Sequence, residues 1–593
     1  MPFFRAFLNV LKKPIALPPL ETLKQRTAFL RPLDWLIIGA LAITMALAVA
    51  TMLAGVSLAL TSKVPAYGGT YREGMIGSPR FVNPLLAISE TDQSLSKLVF
   101  SGLLRKRPDG TPLPDLAEGY EISEDELTYT LTIREDARFH DGSPVTADDV
   151  VFTVKAAQNP DIKSPRRAEW EGVLVEALDD RTVVFTLNAP YAPFIENLTL
   201  GILPKSLWGE VSSEEFPFTT LNEKPVGSGP FRIESRRENS SGIPIEYRLK
   251  AWNGVRRPYI DTFIVKFYTN EEALLASLNR GEIDAANSIN PGATDGMRTV
   301  YEAVFGRIFG VFMNQNQNTL FADSAVRRAL NAAVDKQRLV DTVLSGYGSV
   351  IDGPLPPDSI RIAPAAGSAE ERIQAAKAIL EGDGWEAGVD GVYEKTTTVK
   401  GKKEVKRLAF SLSTSNADEL REASELVAAD WRALGAEVSL KIFEQNDLAV
   451  EVIRPRKYDA LLFGEVVGRE PDLFAFWHSS QRNDPGLNIA LYANTDTDKK
   501  LSDARIETDP AKRKSLSKAA AREISDETAA IFLYAPHFVY VAPKSVSGII
   551  FGDLSTPADR YDTVDQWYMK TEQVWPLFTV DLSQLFKSIT NFL

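Results

Sequence analysis

The longest apolar run lies near the start of the chain. From Trp35 to Leu60 the sequence reads WLIIGALAITMALAVATMLAGVSLAL, and no charged residue occurs between 35 and 62. As a helix those 26 residues rise roughly 39 Å, enough to cross a hydrocarbon core with some tilt. A core helix seldom runs so far without a polar face. A cleavable signal, the stronger rival, has an apolar region of only about 7–15 residues behind a short basic stretch. Here 34 residues come first, and Val64-Pro65-Ala66 is a poor processing site. Residues 1–34 hold Arg5, Lys12, Lys13, Lys24, Arg26 and Arg31 against Glu21 and Asp34. That excess predicts a cytoplasmic segment at 1–34, a single-pass anchor at 35–62 and an extracytoplasmic remainder, periplasmic or cell-surface.

Beyond the anchor the periodicity is mixed. Leu127–Ile133 alternates apolar with polar, the signature of a half-buried strand, and Arg181–Leu187 and Phe263–Tyr268 look alike. Asp141-Gly142 marks a turn before a helix at Thr146, whose hydroxyl can cap free N–H groups, with Asp149 at capping-box spacing. Further helices are predicted at Glu271–Asn279, from a Ser324 cap through Val326, Leu330, Val334, Leu339 and Val343 to Gly346, and at Ala369–Leu380. Ala417–Leu434, ended by Gly435, and residues 511–526 are two more. Lys441–Phe443, Ala460–Phe463 and Ala529–Tyr534 read as strands, and Lys395–Lys406 as an exposed hairpin or loop. The pattern is mixed α/β, without repeats or heptads.

Composition removes several chemistries. The 593 residues carry a formal charge of −13, no cysteine and three histidines, His140, His478 and His537. There is no disulfide, thiolate metal site or thiol nucleophile, and no histidine pair shares a helix face. Since residues 1–34 carry +4, the remainder carries −17, which speaks against nucleic acid as a partner. Gly227-Ser228-Gly229-Pro230 lacks the following Gly-Lys-Ser/Thr of a phosphate cradle and reads as a turn into Phe231–Glu234. Asp115, Glu118, Glu124 and Asp125 read as a solvated acidic loop. No Gly-x-Ser-x-Gly elbow or nucleophile–base pair is visible, so no enzyme is expected.

Several segments in order carry a family resemblance. Leu98–Leu104, Arg107-Pro-Asp-Gly110, Pro114-Asp-Leu-Ala-Glu118 and Phe139-His-Asp-Gly-Ser-Pro-Val-Thr-Ala-Asp-Asp-Val-Val-Phe152 are followed by Gly227–Phe231 and Leu278-Asn-Arg-Gly-Glu-Ile-Asp284. Val326–Asp335, Ala376–Leu380 and the Ala504-Arg505 helix continue the series. Together, over about 68–570, they resemble the family 5 solute-binding proteins, the oligopeptide-, dipeptide- and nickel-type receptors of ABC importers. The resemblance implies a type II, periplasmic-binding-protein-like α/β fold of the large peptide-binding class, with two lobes behind the transmembrane helix. Lobe I would cover 68–308 and return at 543–574, lobe II would cover 309–542, and an amphipathic tail would follow at 575–593. Phe305–Val311 and Ala535–Val541 are the hinge candidates, and His140 takes a structural place in its turn.

It also implies a cleft site. Lobe I would contribute Ile76, Phe81 and Asn83, and lobe II Phe463, Gly464, Glu465, Val466, Glu470 and Trp477. Asn314 and Asn488 can exchange hydrogen bonds with peptide-like groups, though turn roles suit both, and Trp477 suits a core as well as a ligand. Peptide-binding relatives set an aspartate just past this strand for the peptide's ammonium group. Val466-Val-Gly-Arg469 holds no acid, so either Glu465 or Glu470 supplies the charge or the ligand lacks a free amine. The expected partners are a peptide or small polar solute, ABC permease subunits and the membrane, with no cofactor or metal. A ligand sensor without transport, and a hydrolase on the same scaffold, are the alternatives.

Overall fold

A computed structural model describes residues 31–574, apart from 288, 290–291, 293–297, 359–367, 400–401 and 469–471. The chain divides into two units, residues 1–66 with 571–593, and residues 67–570. In the first, helix α1 spans Pro32–Leu60. From Leu33 to Leu53 its large apolar side chains are exposed on every side, Leu36 and Met52 at 71%. An apolar helix of this length is a candidate membrane span or signal segment. A two-stranded sheet pairs Ser62–Ala66 with Lys570–Val574. The predicted tail, 575–593, lies outside the described residues.

The second unit is built on one twelve-stranded sheet. Its strands are β1 (Thr70–Ile76), β2 (Phe231–Glu238), β3 (Pro244–Ala251), β4 (Thr262–Tyr268), β5 (Ala285–Asn287), β6 (Arg298–Val304), β7 (Arg307–Met313), β8 (Gly348–Val350), β9 (Ala409–Ser415), β10 (Glu437–Phe443), β11 (Ala460–Val466) and β12 (Ala530–Pro543). The order is β10-β9-β11-β7-β12-β5-β1-β4-β3-β2, with β6 and β8 also on β12. The apolar core changes hands twice along the chain. Phe305 packs in one core and Ile308 in another; Ala535 and Phe538 repeat the exchange on β12. The molecule is therefore a two-lobed α/β protein joined by crossing segments.

Local physics explains most elements. Lobe I adds an antiparallel four-stranded sheet in which Tyr129, Leu131 and Ile133 are buried while Thr128, Thr130 and Thr132 are not. The helix Ala147–Gln158 begins after Thr146, which forms the expected capping box with Asp149. The Thr146 hydroxyl and backbone N–H both donate to the Asp149 carboxylate at 2.8 Å. The helix predicted from Ser324 through Val343 is two, α2 (Ser324–Ala333) and α3 (Lys336–Val343). Asp323 caps the first and Asp335 the second, where Asp335 accepts the Arg338 N–H at 3.0 Å. Helix α4 (Asp418–Leu434) ends at Gly435 with φ +104°, where a Cβ would meet the Gly391 carbonyl oxygen at 2.8 Å. Only glycine fits there.

Candidate functional site

β11 lies between β7 and β9 in the sheet. Along one edge it pairs fully with β7, from Arg307 opposite Val466 to Met313 opposite Ala460. Along the other it meets β9 only at Ala460 and Leu461, and the Thr414 hydroxyl donates to the Leu462 carbonyl at 3.0 Å. Beyond Leu462 that edge has no strand partner among the described residues.

Strand parity sorts its side chains. Gly464 and Val466 share a face with Phe309 and Arg307. Gly464 leaves room for the Phe309 ring, which a Cβ would approach to 2.6 Å, and Phe309 stacks on Tyr534 at 5.1 Å. Phe463 and Glu465 point to the opposite face, with Ile308 and Trp477.

Three charges absent from the sequence reading converge here. Arg307 opens β7 and is half-buried, its guanidinium 4.5 Å from the Phe305 ring centroid. Burial pulls it below the usual arginine range, opposed by Glu90 of lobe I and Glu419 of lobe II. Its guanidinium makes no hydrogen bond or ion pair among the described residues, and its Nε is enclosed. Burial raises the Glu419 carboxyl, eased by the Tyr534 hydroxyl at 3.2 Å and by Arg307. Glu90 accepts from Asn287 Nδ2 at 2.5 Å. Nothing local in the sequence marked this trio, since its members are 90, 307 and 419 in the chain.

Most predicted polar residues turn out to be engaged within their own lobes. Asn83 Nδ2 donates to Asn222 at 3.0 Å, and its oxygen accepts the Leu85 N–H at 2.9 Å. Asn314 donates to the Arg456 carbonyl and accepts from Asn316 and Gln317; Asn488 donates to the carbonyls of Trp477, His478 and Tyr492. Trp477 is fully buried between Phe312, Tyr492 and Phe532. Glu465 is enclosed too, and burial drives its carboxyl well above the usual range. The nearby Trp477 indole eases this, yet neither Glu465 oxygen makes a hydrogen bond of ordinary geometry. Ile76 and Val466 are 36% and 51% exposed, and Phe81 packs against the lobe I core. Glu470 lies outside the described residues.

A cavity of about 650 Å³ opens between the lobes. Pro108–Gly110, Pro193 and Asp553 form its lobe I wall, and Val304 and Gly306 of the crossing segment line it. On the lobe II side Arg505 bonds Asp472 at 2.9 Å and stands over Phe474 and, across the gap, Tyr191 of lobe I. Lys514 and Lys518 share Asp358. Among the described residues, none of those named above for the cleft lines it; Gly468 and Asp472, either side of 469–471, are its link to β11.

His140 is structural in this fold. Burial takes its imidazole down to about 4, so it is neutral, accepting from the Gly227 N–H and donating to the Gly229 carbonyl. It ties the Phe139–Gly142 turn to the glycine-rich loop.

Two lobes, two crossings and a cavity between them define an interlobe binding protein. Residues 111–486 match the model of the bacterial extracellular solute-binding proteins, family 5 (middle), and the chain belongs to that family. Protein XP55 of Streptomyces lividans is 32% identical over 465 residues, 76% of this chain and 80% of that protein. The oligopeptide-binding protein AppA of Bacillus subtilis is 29% identical over 529 residues, 85% of this chain and 92% of its own. The solved structure of AppA with a nonapeptide superposes with a TM-score of 0.65 at 27% identity, covering 86% of this chain and all of that one. NikZ of Campylobacter jejuni in complex with Ni(L-His) gives 0.64 at 26%, covering 84% and 99%.

Proposed function

We propose that this protein is a membrane-tethered receptor that captures oligopeptides, or similar polar solutes, between its lobes and delivers them to an ABC importer. The observation that carries this reading is the edge of β11 beyond Leu462, which is open among the described residues. An extended peptide can add there as a strand, its backbone paired and its side chains alternating between the lobes. AppA, with its nonapeptide, supports the choice of ligand. Ile76, Phe463 and Val466 would flank the peptide. Charged ligand groups fall to Arg307, Glu90 and Glu419, because Glu465 is enclosed by the lobe II core.

Closure follows from contacts to both lobes, which favour the closed state by the ligand's differential affinity. No bond is made or broken. Helix α1 would hold the receptor as a single-pass anchor, N-terminus inside, with permease subunits as its partner. Mass spectrometry of ligands released from the full chain, purified in detergent, tests the proposal. Bound peptides are expected, with weaker binding for Arg307→Met; steady turnover of peptides, or only non-peptide ligands, would overturn it.

A further inference from the structure

His537 sits on β12 where the chain passes from the core of one lobe to that of the other. Its imidazole is bonded on both sides. Nε2 lies 2.8 Å from the Ser349 hydroxyl on β8, and Nδ1 3.2 Å from a Glu302 carboxylate oxygen on β6. The two partners belong to different lobes: β8 is followed by Ile351 in the lobe II core, and β6 carries Ala303 in the lobe I core. The backbone repeats the bridge, since the His537 N–H donates to Tyr347 at 3.0 Å while His537 stands opposite Val304.

A carboxylate only accepts, so Nδ1 carries the proton and Nε2 accepts from the Ser349 hydroxyl. The same three groups make a nucleophile, base and orienting acid in hydrolases. Here Ser349 is 2% exposed and none of the three lines the interlobe cavity, so a substrate carbonyl has no approach to the hydroxyl. What the site can do is take up a proton.

We propose that Ser349, His537 and Glu302 form a proton-operated clasp that makes the hinge between the lobes respond to external acidity. This rests on the reading of the chain as a closing receptor. A proton from water on Nε2 turns that nitrogen from acceptor to donor. The Ser349 hydroxyl must then swing to accept, and the Glu302 bond becomes charge-assisted. Burial holds the imidazole below its ordinary range, against the pull of Glu302. The present posture is thus fully supported above that range and loses support as pH falls through it, in favour of postures that expose His537.

Most other charges on elements packed against β12 are engaged elsewhere, and Arg328 of α2 is exposed to solvent. Lys336, Arg338 and Asp341 of α3 bond Asp352, Asp430 and Gln337; Arg327 of α2 bonds the Thr528 carbonyl, and Arg298 of β6 that of Leu278. Arg307 of β7 faces Glu90 and Glu419. Glu302 is the charge that bears on the imidazole.

The cysteine-free chain accepts a unique label pair, so Glu124→Cys in lobe I and Glu425→Cys in lobe II, both exposed, can report the interlobe distance in the full chain in detergent. Between about pH 7.5 and about pH 5, around the histidine range, the distance distribution should shift with a single midpoint. Glu302→Gln should lower that midpoint, Ser349→Ala should raise it, and His537→Gln should abolish the shift. A wild-type chain indifferent to pH, a shift that survives His537→Gln, or midpoints that move the same way would overturn the clasp. A nonapeptide mixture serves as control. Movement with peptide but not with pH refutes only the clasp, whereas no movement with either refutes the closing receptor as well.

Discussion

Glu73 of β1 and Glu465 of β11 belong to the same sheet, both are enclosed, and the two lobes treat them in opposite ways. In lobe I, Glu73 accepts from Arg560 Nε at 3.0 Å, Arg560 Nη2 at 2.7 Å and the Tyr540 hydroxyl at 2.7 Å. Arg560, itself fully buried, also bonds Ser94 and Tyr561 and lies over the Tyr561 ring at 4.2 Å. In lobe II, Glu465 has only the nearby Trp477 indole, and burial holds its carboxyl well above the usual range. A buried carboxyl can be met by a counter-ion and a full set of donors, or it can stay neutral. The first solution also does topological work: Arg560 lies in the segment that returns to lobe I after the second crossing, so the pair fastens that return to β1.

The contrast can be broken most severely from the lobe I side. Arg560→Met leaves Glu73 buried without its counter-ion and should cost about 3–5 kcal/mol in denaturant unfolding. The double variant Arg560→Met with Glu73→Leu should regain much of it. A single variant as stable as the parent would remove the distinction. Tyr540→Phe deletes one donor but keeps the ion pair, and a loss of about 1.5–3 kcal/mol would apportion the two.

On the lobe II side the sign reverses. Glu465→Leu should stabilise by about 1–2 kcal/mol, since no hydrogen bond is lost and an enclosed polar group is removed. Burial makes the folded carboxyl hold its proton to higher pH than the unfolded chain does. The parent therefore loses stability as pH rises from the ordinary carboxylate range toward the raised value, and the variant's advantage should widen with it. An advantage independent of pH would mean that Glu465 is ionised after all. As a baseline, Lys499→Ala breaks an exposed pair with Asp503 at 2.7 Å and should change stability by less than about 0.5 kcal/mol.

These sites show how far the sequence could be read. The alternation at Leu127–Ile133 and the glycine stop at Gly435 depend on neighbours a few residues away, and both appear as expected. The break between α2 and α3 was hidden because Val334 continues the apolar period. Asp335 ends it through contacts that include its N–H to Asp430, 95 positions away. The strand predicted at Ala529–Tyr534 is Ala530–Pro543, since it crosses from lobe to lobe without losing its apolar character. Glu465, with Glu470, read as a candidate cleft acid by analogy with the family's strand end. Parity and the packing of Trp477 put it inside, and only the assembled lobe reveals that.

What the sequence determined by itself is whatever a turn or two of chain can encode. That includes the unbroken apolar helix at 32–60, the caps, the alternating strands and the ordered motifs that carry the family resemblance. The tertiary structure decided which distant groups meet. Glu73 and Arg560 are 487 positions apart, Ser349 and His537 are 188, and Glu302 and His537 are 235. Whether a carboxyl ends as an ion-pair partner, a neutral buried acid or one arm of a clasp depends on the donors that fold against it and on the water they displace. Neither is written in its neighbours along the chain.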